Sequence, residues 1–186
     1  MSQIRYELAQ TIEDLKQILI LQNKNLKVAL SQEEVNSQGF VTVKHDLELL
    51  KKMNNPYPHV VAKRNNIVCG YALVMLKEIV EDLPMLIPMF DKINKLTYKN
   101  ISLKDSSYFI MGQVCVAKAY RGSAVFGELY KNLCFHMKRH FRFVITEIDR
   151  KNQRSIKAHA KVGFEILTSY KDKQDTIWDI IIKETQ

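Results

Sequence analysis

Three polar residues at helical spacing are the sharpest chemical signal in this 186-residue sequence: Asn152, Ser155 and His159. They stand three and four positions apart, so a helix beginning near Asn152 puts all three on one face. Arg154, Lys157 and Lys161 form a basic stripe beside them, and Ile156, Ala160 and Val162 supply a buried side. A solvated face explains the basic stripe alone. It explains less well an amide, a hydroxyl and an imidazole in line. Gly163 then ends the helix at the C′ position and Phe164 opens a strand.

A second segment capable of chemistry runs from Gln113 to Tyr130, a strand, a turn and a helix. The turn is Lys118-Ala119-Tyr120-Arg121-Gly122-Ser123-Ala124. A loop entering a helix presents unpaired backbone N–H groups at the positive end of the helix dipole. Small residues let a phosphate approach them closely, and Gly122, Ser123 and Ala124 are all small, with Arg121 adding positive charge. The segment reads as a pyrophosphate cradle, against the plainer reading of a tight connection in an α/β layer.

Taken together, the two segments resemble the signature motifs of the GNAT superfamily of N-acetyltransferases. The first motif is usually R/Q-x-x-G-x-G/A, and here it reads Arg121-Gly122-Ser123-Ala124-Val125-Phe126. Ala124 and Phe126 stand where the family usually has small glycines; Phe126 is expected to turn into the core with Tyr130 and leave its N–H free. The second motif usually has Asn, a small residue, Tyr and Gly-Phe; here these positions hold Asn152, Ser155, His159, Gly163 and Phe164. The resemblance is strongest over residues 108–184 and extends to the rest in element order.

The resemblance implies an α/β chain with the GNAT-like acyl-CoA N-acyltransferase fold: a mixed, mostly antiparallel central sheet flanked by helices, as one domain over residues 1–186. It implies acetyl-CoA as co-substrate, no metal, and direct attack of a neutral primary amine on the acetyl carbonyl without a covalent intermediate. Backbone groups of Val114, Cys115 and Val116 would pair with the pantetheine arm, and the Val116 N–H would polarise the thioester oxygen. Backbone N–H groups of Arg121, Gly122, Ser123, Ala124, Val125 and Phe126 would hold the pyrophosphate. Asn152 would reach the pantetheine or the phosphates, with Ser155 and His159 on the same cofactor face. His159 stands in for a tyrosine that protonates the departing thiolate in many relatives; it either does that work or only packs against the pantetheine. Glu147, on the strand before the second helix, is the first candidate for the base that deprotonates the amine, ahead of Asp149 and His45. A surface carboxylate is its plainer reading. A non-catalytic CoA-binding or sensing module on the same fold stays open as the alternative.

The elements that must position these residues follow from periodicity. Residues 3–9 alternate as a strand. Thr11 and Asp14 offer a capping box for a helix carrying Leu15, Ile18 and Leu19. Residues 24–54 read as helix in pieces, broken near Gly39. A hairpin pairs residues 59–63 with a long strand over 67–79. Residues 84–96, with two prolines and a run of apolar residues, read as a short helix or a lid over an acceptor pocket. A polar connector spans 97–107. Strands follow at 108–116, 143–148, 163–169 and 175–183, with helices from Val125 and over 152–162.

Composition bounds the rest. Hydrophobic residues make up 46% and charged residues 26%, ordinary for a globular domain. No apolar run is long enough to span a bilayer and the N-terminus shows no signal pattern, so a cytoplasmic location without a membrane partner is expected. The net charge of +8 favours an anionic partner, and the scattered lysines favour a polyphosphate cofactor over nucleic acid. The expected partner is a small-molecule or peptide amine acceptor, with a homodimer left open. The three cysteines, Cys69, Cys115 and Cys134, lie in apolar segments without metal-like spacing and read as reduced core thiols.

Overall fold

A computed structural model describes residues 3–186. Strand β1 (Arg5–Leu8) leads into α1 (Ile12–Asn23). The Thr11 hydroxyl accepts the Asp14 N–H at 3.1 Å, and the Asp14 carboxylate accepts the Thr11 N–H, the reciprocal box that the sequence predicts. Helix α2 (Gln32–Gln38) stops at Gly39, whose φ of +73° is left-handed. A side chain there would also meet Asn152 Oδ1 at 3.1 Å, so this glycine is required by both conformation and space. Helix α3 (Leu47–Met53) precedes the hairpin of β2 (Val60–Arg64) and β3 (Ile67–Met75), turned by Asn65 and Asn66 at positive φ.

The second strand of that hairpin is shorter than expected. It ends at Met75, and Lys77–Glu81 forms a 3₁₀ turn that buries Ile79. A further 3₁₀ turn (Pro84–Leu86) and α4 (Ile87–Ile93) follow, each begun by a proline near its N-terminus. The polar connector contains a miniature hairpin, β4 (Thr97–Tyr98) with β5 (Ile101–Ser102). The remainder runs β6 (Tyr108–Val116), α5 (Val125–Met137), β7 (Phe143–Asp149), α6 (Gln153–Lys161), β8 (Glu165–Lys171) and β9 (Ile177–Glu184).

Seven strands form one sheet in the order β1-β2-β3-β6-β7-β9-β8. Every pairing is antiparallel except β6 with β7. The sheet separates two cores. One face buries Leu15, Ile18, Leu50, Met53, Met89 and Ile93 from α1, α3 and α4 against Leu73, Tyr108, Phe143 and Ile145. The other buries Val125, Leu129, Leu133 and Met137 of α5 against Val60, Ala72, Phe109 and Val144. The four-residue recurrence of the α5 positions is the apolar stripe that fixes that packing.

The segment read as a lid is part of the first core. Met89 is 1% exposed and Ile93 is fully buried. Leu86, Met89, Phe90 and Ile93 gain more by this burial than by covering a wet pocket, while Met85 and Ile87 stay exposed.

One irregularity in the sheet matters for function. The β3–β6 register shifts between Leu73 and Val74, so Gly112 is an extra residue in β6. The bulge reverses the alternation beyond it. Ile110 faces the α1 side, and after Gly112 so do Gln113 and Cys115, while Val114 and Val116 face α5.

Candidate active site

The two parallel strands form a fork. β6 and β7 pair only at Tyr108↔Phe143, Phe109↔Val144 and Ile110↔Ile145. Thr146 Oγ1 donates to the Met111 carbonyl at 2.9 Å at the crotch. Beyond it the strands diverge, and a slot opens between Gly112–Val114 on one arm and Thr146–Asp149 on the other. Antiparallel pairing with β3, continued by the Ala117 N–H to the Cys69 carbonyl at 2.8 Å, directs the backbone of Cys115 at β3. The backbone groups of Val114 and Val116 point the other way, toward the gap. Of the expected Val114–Val116 row, the backbone groups of Val114 and Val116 face the gap and those of Cys115 do not. The Val116 carbonyl is already taken by Arg121 Nε at 3.0 Å, while its N–H remains on the open side. The Cys115 thiol is buried, which pushes its pKa up to about 12 and removes it as a nucleophile.

A strap formed by residues 40–43 lines the slot and is tied to both arms. Asn152 Nδ2 donates to the Phe40 carbonyl at 2.9 Å, and Gln113 Nε2 donates to the Val43 carbonyl at 2.8 Å. Gln113 belongs to a buried polar network that sequence reasoning did not single out. Its Oε1 accepts from Tyr71 Oη at 2.5 Å and from Gln22 Nε2 at 3.0 Å. Gln22 Nε2 also donates to His45 Nδ1 at 2.7 Å, and Gln22 Oε1 accepts the His45 N–H at 2.9 Å. The network fixes the strap's position because each buried group is satisfied only in this arrangement. Its signal in the sequence was a Gly-Gln pair inside an apolar strand, the mark of a bulge that redirects a polar side chain. Burial holds His45 neutral, with its pKa lowered to about 4, and Nδ1 is committed to Gln22. It has no role as a base there.

The loop before α5 has the shape of an anion cradle. The N–H groups of Gly122, Ser123, Ala124, Val125, Phe126 and Gly127 meet no protein acceptor among the described residues. Gly122 adopts a φ of +78°, and a Cβ there would enter open space. Arg121 departs from expectation. Its N–H bonds the Lys118 carbonyl at 3.3 Å, and its guanidinium reaches the Val116 carbonyl, the Gln38 carbonyl at 3.1 Å and Asn25 Oδ1. This cation braces α2 and the end of β6 and is half-buried in doing so. The Phe126 ring lies 5.2 Å from Tyr130 and 5.1 Å from His159, which leaves its N–H in the free row.

The helical face begins as predicted. Asn152 caps α6 by accepting the Ser155 N–H at 3.3 Å. Both ends of its amide are thus used within the protein, on Ser155 and Phe40. His159 lies beneath the face, 2% exposed and enclosed by Phe126, Tyr130 and Phe164. Its Nδ1 sits 2.8 Å from the Ser155 carbonyl and its Nε2 2.7 Å from Tyr130 Oη. A carbonyl only accepts, so Nδ1 carries the proton and Nε2 accepts from Tyr130. Burial lowers its pKa to about 4, which disfavours the imidazolium near neutrality and leaves packing as the better supported of the two readings of His159.

Glu147 is half-buried and lines the slot. Burial, chiefly, and the nearby Asp172 charge raise its pKa to about 7, against a lowering hydrogen bond from Tyr170. Asp149 also lines the slot, but it is 3% exposed, ion-paired to Lys27 at 2.9 Å and bonded to the Lys151 N–H. The slot thus brings together Val114, Asn152, Ser155, His159 and Glu147, with the free N–H row at the α5 terminus beyond the end of β6. Among the described residues, no group of three or more His, Cys, Asp or Glu is placed to hold a metal. Among them too, no helix is long and apolar enough to cross a membrane.

The sequence matches the Acetyltransferase (GNAT) family over residues 27–164. The chain belongs to the GNAT family of acetyltransferases. No match is found among curated proteins. Solved GNAT-type structures share the fold at low identity. An N-acetyltransferase from Staphylococcus aureus Mu50 aligns over 100% of both chains at 18% identity, with a TM-score of 0.64. The yncA structure from Salmonella typhimurium, solved with its cofactor acetyl-CoA, covers 100% of this chain and 95% of its own at 15% identity and a TM-score of 0.62. The ribosomal-protein-S18-alanine N-acetyltransferase from Escherichia coli covers 99% and 95% at 10% identity and a TM-score of 0.64. In this GNAT chain two of the departures from the usual motifs meet: the Phe126 ring lies against His159, and Tyr130 contacts both.

Proposed function

We propose that the protein transfers the acetyl group of acetyl-CoA to a primary amine by direct attack, in the slot between β6 and β7. The observation that carries this reading is the fork itself. It joins an open strand edge, a row of free N–H groups at a helix N-terminus, and one carboxylate poised near neutrality. Acetyl-CoA needs the first two: its pantetheine arm can add to the exposed edge of β6 through Val114 and the Val116 N–H. Its pyrophosphate suits the N–H groups of Gly122 to Phe126, where the helix dipole favours negative charge. When bound, the cofactor supplies an activated acetyl thioester.

The third component serves the acceptor. An amine attacks only when neutral, and Glu147, with a pKa of about 7, is matched to taking its proton at physiological pH. Tyr170 orients that carboxylate through Oε2. Asn152 and Gln113 position the strap that borders both ligands. Thiol release from acetyl-CoA in the presence of a panel of small amines and peptide N-termini tests the reading. Acetyl transfer to at least one amine, lost in Glu147→Gln, is expected; acetyl-CoA binding without any turnover would favour a CoA-sensing module instead.

A further inference from the structure

We propose that the Ser155 hydroxyl, not the His159 imidazole, is the side chain that hydrogen-bonds the cofactor sulfur as the carbon–sulfur bond breaks. The proposal rests on the acetyltransferase reading above and adds a catalytic residue to it.

His159 stands where a leaving-group donor would be sought, yet it has no proton to give. Its single ring proton lies on Nδ1 and is directed at the Ser155 carbonyl, 2.8 Å away. Nε2 is turned inward and accepts from Tyr130 Oη. Turning the ring to free Nε2 would leave the buried Tyr130 phenol without a partner.

Ser155 lies one helical turn earlier, half-buried, on the α6 face that lines the slot. Its Oγ is 3.3 Å from His159 Nδ1. The ring proton therefore lies between the Ser155 carbonyl and Oγ, which makes Oγ an acceptor on its inner side. The Ser155 O–H is then left to point into the slot. The neighbouring donors are committed: Thr146 Oγ1 to Met111, Asn152 Nδ2 to Phe40, Gln113 Nε2 to Val43 and Trp178 Nε1 to Asp172. Thr42, the third hydroxyl lining the slot after Ser155 and Thr146, sits on an exposed stretch of the strap.

The step balances without an added reagent. The amine nitrogen forms a bond to the acetyl carbon, its proton passes to the Glu147 carboxylate, and the C–S bond breaks with the electron pair going to sulfur. Ser155 keeps its proton and donates a hydrogen bond to the developing thiolate, while His159 Nδ1–H supports the serine oxygen from behind. The thiolate takes a proton from water after it leaves.

The test reads the ionisation of CoA bound to the protein, followed by the ultraviolet absorbance of its thiolate during a pH titration. Wild type, Ser155→Ala and Ser155→Thr are compared. Loss of one hydrogen bond to a charged atom should raise the midpoint in Ser155→Ala by about one pH unit and lower kcat about tenfold, with KM for acetyl-CoA changed less than about twofold. Ser155→Thr should restore both. A wild-type midpoint in Ser155→Ala, with CoA bound, overturns the inference and leaves the acetyltransferase reading intact. Absence of CoA binding to the wild type in calorimetry overturns both.

Discussion

The Tyr170 hydroxyl donates to Glu147 Oε2 at 2.6 Å, reaching from the edge strand β8 over β9 to one arm of the fork. The bond holds the carboxylate toward the slot and lowers a pKa that burial raises to about 7. Activity should therefore rise with pH through an ionisation near 7, since a base works only when deprotonated. Glu147→Gln should reduce kcat by about 10²–10⁴. Tyr170→Phe should move the limb to higher pH. A pH–rate profile of the three proteins checks both expectations.

The same group predicts a stability effect of opposite sign. A carboxyl whose folded pKa is raised above its ordinary 4.5 binds its proton more tightly in the folded state. Stability then falls as pH rises from about 4.5 to about 7, and the cost is constant above that. Glu147→Gln removes that cost and still accepts from Tyr170. The variant should gain about 3 kcal/mol at pH 8 and nothing near pH 4, as read by denaturant titration.

Gly122→Ala separates binding from folding. Its φ of +78° makes alanine strained by about 1 kcal/mol, while the added Cβ meets nothing within 4 Å. Thermal stability should drop only slightly. The Kd for acetyl-CoA, measured by calorimetry, should rise about tenfold, because the strained loop withdraws N–H groups from the phosphates.

His159→Phe removes the support behind Ser155 Oγ; it should lower kcat by less than the roughly tenfold of Ser155→Ala and cost about 2 kcal/mol of stability. The loss comes from Tyr130 Oη, which is buried and would have no partner. Paired kinetics and chemical denaturation check this: the stability loss is expected either way, and a fall in kcat of about 10²-fold or more would instead mark His159 as the proton donor.

The sequence carried the skeleton of this site further than its electrostatics. β6 was legible in its bounds because Tyr108–Val116 is apolar and β-prone on both sides of Gly112-Gln113, and α6 because Asn152 and Gly163 punctuate both ends. Side-chain partners from distant segments were not legible. Nothing local says that Arg121 turns back to Gln38 and Asn25, that Asn152 spends its amide on Phe40, or that Tyr130 reaches His159, 29 positions away. The same limit left residues 84–96 open between a short helix and a lid; the segment forms α4 and packs into the core. Apolar residues flanked by prolines suit a lid and a core plug equally well until their neighbours in the fold are known.

The central claim, that the fork is an acetyl-CoA site, is tested most directly by thermal unfolding during titration with acetyl-CoA, CoA and a control nucleotide. A ligand that binds only the folded chain raises the melting temperature by mass action. A saturable rise with acetyl-CoA and CoA, weakened in Gly122→Ala, is expected. An unchanged melting temperature at about millimolar acetyl-CoA, far above the Kd of any useful cofactor site, would contradict it.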